Sequence, residues 1–116
     1  MNSKKQGAIG VAKAIAYFVS KGYAVFVPVS DCSRYDLIID SGEKIMRVEV
    51  KTTKSANDQV MLGTVGGNQS WGGEVKRLSV EDCDVVFLVN LNNGVEREYT
   101  IEELAGRNSI TLKQQA

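Results

Sequence analysis

Four residues in the first half of the chain could together hold a metal ion and act on a substrate. Glu49, Val50 and Lys51 lie in a stretch of alternating polar and apolar residues, which in a strand places Glu49 and Lys51 on one face. Asp36 stands at the start of another apolar stretch, 37–39. Two carboxylates beside a lysine form a site for Mg²⁺, which takes oxygen ligands from one or two carboxylates, water and substrate phosphate.

The same alternation has a plainer explanation, a strand with one buried and one solvated face. Arg47 would then join Glu49 and Lys51 in water, while Val48 would face the core. Asp36 favours the chemical interpretation, because a hairpin between its strand and that of Glu49 would bring two carboxylates together. Adjacent carboxylates repel each other and gain from a shared cation. The sequence therefore predicts a metal site formed by Asp36 and Glu49, with Lys51 beside it.

Length and composition indicate one packed domain spanning residues 1–116. Hydrophobic residues make up 43% of the chain and charged residues 24%, which is typical of a globular protein. Fourteen basic residues balance fourteen acidic ones. Any binding of nucleic acid must therefore come from how charge is distributed over the surface, not from its total.

The absence of certain residues and segments from the sequence disfavours several kinds of active site and several cellular locations. It contains no histidine, which excludes Ser-His-Asp and Cys-His catalysis and histidine zinc sites. Cys32 and Cys83 lack the C-x-x-C spacing of a metal site, and we expect both to be reduced thiols. No secretory signal and no run near the roughly 18 apolar residues of a membrane span is evident. We expect a cytoplasmic protein of a bacterial or phage-infected cell, without a membrane partner.

The pattern of apolar residues predicts a helix followed by several strands, a short helix and a last strand. The first helix is amphipathic, with Tyr17 and Lys21 opposite its apolar face, and Gly22 is suited to end it. The strands at 35–40 and 44–52 should pair as a hairpin around Ser41-Gly42. The predicted helices are 6–21 and 101–105, and the predicted strands are 23–29, 35–40, 44–52, 59–65, 85–90, 95–100 and 110–112. This order favours an α/β (α+β) fold with a mixed central β-sheet flanked by helices.

The motif residues resemble those of the PD-(D/E)XK nuclease superfamily. That motif is an acidic residue at the head of one strand and E-x-K on the next, here Asp36 and Glu49-Val50-Lys51. The resemblance extends over most of the chain, through residues 7–10, 34–37, 48–52, 66–68 and 84–87. The chain is similar to a branch of this superfamily that includes Holliday-junction-resolvase-like enzymes and small phage- or intron-encoded homing endonucleases. A restriction-endonuclease-like core is the fold that this resemblance implies.

The resemblance also implies an activity, a metal-dependent DNA endonuclease that hydrolyses phosphodiester bonds. Asp36, Glu49 and the Val50 carbonyl would bind Mg²⁺, with Mn²⁺ as a substitute, and Lys51 would stabilise the transition state or orient water. Double-stranded or branched DNA would be the partner. Residues that could contact it flank the motif or lie in the glycine-rich stretch 66–73. They are Ser33, Arg34, Tyr35, Thr52, Lys54, Asn68, Gln69 and Trp71.

Val11 departs from the family pattern. Related enzymes often carry a glutamate at this point of the first helix, where it contributes to the metal site, whereas this chain has an apolar residue. On a helical wheel Val11 lies at the edge of the apolar arc beside Phe18, which is typical of packing. The expected site therefore lacks an outer carboxylate that could hold a second ion.

Alternatives from other classes remain open from the sequence alone. The chain could be a catalytically inactive nucleic-acid-binding module with the same fold, or an unrelated α/β domain whose D…E-x-K is accidental. If it is a nuclease, a homing, resolvase-like, repair or restriction role would fit. One catalytic centre per chain predicts a homodimer or tetramer for cutting two strands. We expect its contacts in the strands between Val85 and Thr100 and around Trp71.

Overall fold

The structure, a computed structural model, describes residues 2–30, 33–65 and 75–112. The predicted order of elements is confirmed, with nine strands and two helices in these ranges. The helices are α1 (Ser3–Ser20) and α2 (Ile101–Leu104). The strands are β1 (Ala24–Phe26), β2 (Leu37–Asp40), β3 (Ile45–Thr53), β4 (Gln59–Met61), β5 (Thr64–Val65), β6 (Val75–Lys76), β7 (Val85–Asn90), β8 (Glu96–Thr100) and β9 (Ser109–Thr111).

The central sheet has five strands in the order β1-β2-β3-β7-β8. It is mixed, because β3 and β7 run parallel while the other neighbours are antiparallel. The predicted hairpin of β2 and β3 is confirmed, with Leu37 opposite Val48. All six residues of β7 are buried, as its unbroken apolar run predicts for a strand covered on both faces.

Helix α1 covers one face of this sheet. Ala14 and Phe18 are fully buried there, and the Phe18 ring lies 6.0 Å from that of Phe87. The helix begins earlier than predicted, at Ser3, because the Asn2 side chain caps it by accepting the Lys5 N–H at 2.8 Å. Tyr17 was predicted to point away from the core, which is wrong: its ring lies 5.0 Å from Phe87.

Gly10 allows α1 to approach β3 closely. A Cβ atom at this position would collide with the Thr52 Cγ2 atom and lie 3.4 Å from Val50 Cγ1. The side chains of Val48, Val50 and Thr52 therefore face α1, whereas Glu49 and Lys51 lie on the opposite face of β3. The position of α1 and that of the candidate residues are thus linked through one strand.

A second layer covers the face of the sheet that carries Glu49. It consists of the two-stranded pair β4–β9 and helix α2, whose apolar residues pack on β7 and β8. Its buried cluster comprises Val60, Leu62, Leu78, Cys83, Val86, Leu88, Tyr99, Ile101, Leu104, Ile110 and Leu112. Glu49 is half-buried in consequence, so the simple picture of a fully solvated polar face is wrong.

Several predicted boundaries are corrected by contacts distant in sequence. β1 ends at Phe26 instead of residue 29, shortly before Pro28, which cannot donate to a strand ladder. The strand predicted at 59–65 is divided into β4 and β5, since the intervening Leu62 is buried and its N–H donates to the Asn108 carbonyl at 2.9 Å. β6 was not predicted, because two residues carry no periodic signal.

The predicted subunit contact through the late strands is wrong for β7. All six of its residues are buried within the chain's own core, between α1 and the second layer. The apolar residues of β7 are thus part of the packing between the two layers. In the described ranges, no helix has the length and apolar character to cross a membrane.

Candidate active site

A notch in the sheet brings the candidate residues together. β2 begins at Leu37, opposite Val48, whereas β3 continues to Thr53. Residues 49–53 of β3 therefore pair with no strand on the β2 side in the described part of the chain, and Asp36 lies where β2 stops. Its N–H donates to the Val48 carbonyl at 2.9 Å. We call this end of the sheet the notch end. The end at which β3 and β7 begin is called the opposite end.

The Asp36 side chain is fixed against β3 by a backbone hydrogen bond. The Val50 N–H donates to Asp36 Oδ2 at 2.8 Å. The N–H and carbonyl of one strand residue lie at the same edge. The Val50 carbonyl thus faces the notch alongside Asp36, while its side chain packs under α1.

Glu49 meets Asp36 at this notch. Burial, a hydrogen bond between the two carboxyl groups and the negative charge of Asp36 raise the pKa of Glu49 to about 9, while Lys51 opposes the shift. Burial is the largest of these causes and the nearby Asp36 adds to it, so the charged form of Glu49 is disfavoured. A proton, or a cation in its place, stabilises the pair.

The donor set fits one hard divalent cation. Asp36, Glu49 and the Val50 carbonyl offer only oxygen atoms, as Mg²⁺ prefers. Over the ranges that the structure describes, no group of three or more acidic or thiol side chains is placed to hold a metal ion. Water and phosphate would therefore complete the coordination. Cys83 lies near Glu49, but burial and that charge raise the pKa of Cys83 to about 12, so its thiol stays neutral.

Lys51 lies on the same face of β3 as Glu49. It is opposite Leu88 of β7 and half-buried, and its positive charge lowers the pKa of Glu49. A lysine on the same face as the two carboxylates can stabilise negative charge that develops on a bound group. The structure thus brings together Asp36, Glu49, Val50 and Lys51, the four residues of the predicted centre.

The residues predicted to contact DNA have different surroundings. Ser33, Arg34 and Lys54 are exposed around the notch. Tyr35 is half-buried and packs against the second layer. The expectation for Thr52 is not supported, since its side chain lies beneath α1 and its Oγ1 accepts from Gln6 Nε2 at 3.4 Å. The predicted contacts Asn68, Gln69 and Trp71 lie outside the described residues.

A cavity of about 250 Å³ opens beside Asp36. Val11 lines it from α1 and packs against the core cluster of that helix, as predicted for a packing residue. The remaining lining residues are Val27, Pro28, Ser30, Ser33 and Tyr35. The helix thus presents an apolar side chain to the neighbourhood of Asp36, where a carboxylate would be an additional oxygen ligand.

Arg47 shares a strand face with Glu49 but is not part of the site. Its guanidinium contacts both carboxylate oxygens of Asp84, at 3.1 and 3.2 Å, and donates to the carbonyls of Val80 and Glu81. This pairing holds the pKa of Asp84 below its usual range. Arg47 therefore attaches the turn before β7 to the opposite end of β3.

A buried polar network at the notch end was missed by sequence reasoning. Asn90 is fully buried and donates to the Ser55 carbonyl at 2.9 Å and to Asp58 Oδ1 at 2.8 Å. Asp58 has a positive φ of 61°, a conformation that costs energy for a residue other than glycine. The network fixes the segment that follows Lys51. The sequence signal that could have revealed this network is Asn90, a polar residue at the end of an apolar run.

The fold is similar to that of a solved nuclease. The structure of a bacterial homing endonuclease, I-Ssp6803I, matches with a TM-score of 0.85 at 21% sequence identity, covering 99% of this chain and 80% of that one. A search of curated protein sequences gives no significant match. At this identity the structural match shows the fold alone, which is the predicted mixed sheet with flanking helices.

Family membership follows from the sequence as a whole. The model of the PD-(D/E)XK endonuclease family matches residues 1–115. The match confirms the resemblance that Asp36 and Glu49-Val50-Lys51 indicated. The chain belongs to the PD-(D/E)XK endonuclease family.

Proposed function

We propose that this protein is a Mg²⁺-dependent DNA endonuclease, with Asp36, Glu49 and Lys51 as its catalytic residues. The observation that carries the proposal is the meeting of Asp36, Glu49, the Val50 carbonyl and Lys51 at one notch. Family membership supports hydrolysis of phosphodiester bonds. A homing or resolvase-like role in a phage or mobile element is part of the proposal, and the fold shared with a bacterial homing endonuclease supports the homing role.

Each residue has a distinct task in this proposal. A divalent cation bound there would supply Lewis-acid stabilisation and lower the pKa of the attacking water. Asp36 and Glu49 would hold the cation through carboxylate oxygens, and the Val50 N–H keeps Asp36 in position. Lys51 stabilises negative charge on the phosphate in the transition state. The second layer limits the access of water to Glu49, which strengthens these charge interactions.

The distribution of charge supports approach of DNA from the notch end. Four exposed basic residues lie there, Lys4, Lys5, Arg34 and Lys54. Seven acidic residues lie at the opposite end, Asp40, Glu43, Glu81, Asp82, Asp84, Glu102 and Glu103, and Lys44 and Arg47 offset part of their charge. We therefore expect the notch end to attract a polyanion more strongly than the opposite end does.

A homodimer or tetramer is part of the proposal. One notch per chain provides one centre, and cutting two strands calls for two centres related by symmetry. The proposed setting is the cytoplasm of a bacterial or phage-infected cell. Light scattering on the free and the DNA-bound protein tests the assembly: a monomer in both states would overturn it.

A cleavage assay tests the function. The protein is incubated with supercoiled, linear and four-way-junction DNA in Mg²⁺, in Mn²⁺ and in a chelator. We expect cleavage in either metal, none in the chelator, and none by Asp36→Asn. Binding of DNA without cleavage in any metal would contradict the proposal and favour a catalytically inactive binding module.

A further inference from the structure

We infer that the first turn of α1 is part of the DNA-contacting surface, with Lys4 and Lys5 binding phosphates beside the notch. The inference rests on the proposed function. It adds to the catalytic centre a helix end that the sequence patterns did not assign to any role. The observations that carry it are the placement of the turn, its charge, and a contrast with α2.

The placement follows from contacts along α1. Near its start, Gln6 Nε2 donates to Thr52 Oγ1 at 3.4 Å, and Gly10 packs on Thr52. Near its end, the Phe18 ring stacks 6.2 Å from Tyr23, which leads into β1. The helix therefore runs antiparallel to β3, and its first turn lies where β3 ends.

Lys4 and Lys5 belong to this first turn, two residues and one residue before Gln6. Both side chains are exposed. Lys54 follows β3 at the same end and is exposed as well. These lysines and Arg34 belong to separate segments at the notch end, so a DNA backbone that crosses this end of the sheet would meet positive charge from more than one element.

The charge of this turn opposes the stability of its own helix. The amino end of a helix carries partial positive charge, so acidic residues there are stabilising and basic residues are not. The first turn of α1 has no acidic residue. Two adjacent lysines therefore occupy the end of α1 that least favours them, an arrangement that a bound polyanion would compensate.

Helix α2 shows the ordinary arrangement in the same molecule. It begins at the opposite end of the sheet, and its first turn carries Glu102 and Glu103. Glu103 accepts hydrogen bonds from the N–H and hydroxyl groups of Thr100, at 3.0 and 3.2 Å. Helix α2, at the opposite end, thus has stabilising charge in its first turn, whereas the first turn of α1, at the notch end, does not.

The test compares two double variants with equal loss of charge. Lys4→Ala/Lys5→Ala removes the first-turn lysines. The control, Lys44→Ala/Arg107→Ala, removes two exposed cations from the turn between β2 and β3 and from the loop after α2. Binding to a fluorescent duplex of about 30 base pairs is measured by anisotropy over a range of salt, with Ca²⁺ replacing Mg²⁺ to prevent cleavage. Unfolding in urea is measured in parallel.

We expect the first-turn variant to bind on the order of tenfold more weakly, with the slope of log affinity against log salt reduced by about 0.9 for each phosphate that the variant no longer neutralises. It should be at least as resistant to urea as the wild type, which a merely structural role would not allow. The control should keep the wild-type slope. Equal affinity and slope for the two double variants would overturn the inference. Wild-type protein that neither binds nor cuts DNA would instead overturn the proposed function.

Discussion

The two ends of the central sheet are built differently. At the opposite end, charges are paired within the chain, as in the Arg47–Asp84 ion pair with N–O distance 3.1 Å and the capping of α2 by Glu103. At the notch end, Asp36 and Glu49 face each other, and Asp58 has a strained backbone. Asp84 has a cationic partner within the chain, whereas in the proposed function a bound cation would complete the Asp36–Glu49 pair. Substitutions at the opposite end should therefore alter stability, and substitutions at the notch end should alter activity.

The largest effect is expected from Lys51→Ala. Removing the cation that lowers the pKa of Glu49 should lower the cleavage rate by about 10²–10³-fold, because a positioned charge acts mainly on the transition state. Folding and DNA affinity should change little. Single-turnover cleavage of a labelled duplex measures the rate, and Lys44→Ala is the control. A mutant that cuts as fast as the wild type would exclude a catalytic role for Lys51.

The next effect concerns the approach of α1 to β3. Gly10→Ala places a Cβ against Thr52, and we expect a loss of about 1–3 kcal/mol of unfolding free energy from overpacking. Gly7→Ala is the matched control on the same helix, since a Cβ there meets nothing within 4 Å. It should add about 1 kcal/mol through helix propensity. Urea unfolding measures both, and effects of the same sign would contradict the packing described for α1.

The dependence of stability on pH should identify the carboxyl pair. Because the pKa of Glu49 is raised from 4.5 to about 9, the folded state holds this proton more tightly than the unfolded chain. Its contribution is complete below pH 4.5 and is lost as the pH rises through 9. The metal-free protein should therefore lose stability across this window, by at most about 1.4 kcal/mol per pH unit.

Glu49→Gln should flatten this profile and stabilise the metal-free protein at neutral pH while abolishing cleavage. Glu43→Gln, at an exposed site in the turn between β2 and β3, should leave the profile unchanged. Unfolding in urea at a series of pH values, with a chelator present, gives the profiles. A wild-type profile identical to that of Glu49→Gln would mean that the two carboxyl groups do not interact.

The smallest effect is expected at the opposite end. Arg47→Ala removes the hydrogen bonds to Asp84, Val80 and Glu81, which should cost about 1–2 kcal/mol because they are partly exposed to water. The folded fraction should still cleave DNA at the wild-type rate. Cleavage normalised to folded protein would show this, and a loss of activity beyond the loss of folded protein would contradict the separation of the two ends.

Local patterns predicted the catalytic hairpin well. Alternation in 44–52 and the Ser41-Gly42 turn place β2 beside β3, which is enough to bring Asp36 near Glu49. Contacts between residues far apart in sequence could not be predicted from such local patterns. Periodicity cannot show that β3 pairs with β7, that Arg47 is bound by Asp84, or that a second layer half-buries Glu49. The prediction for Tyr17 was wrong for the same reason, since a helical wheel cannot show that Phe87, distant in sequence, lies beside its ring.

Binding of a divalent cation tests the central claim most directly. Calorimetric titration of Mn²⁺ or Mg²⁺ into the metal-free protein should give a binding heat for the wild type and for Asp84→Ala, whose carboxylate lies at the opposite end. Asp36→Ala should lose that heat, because one of the two carboxylates of the notch is removed. Equal heats from the wild type and Asp36→Ala would contradict a metal site between Asp36 and Glu49.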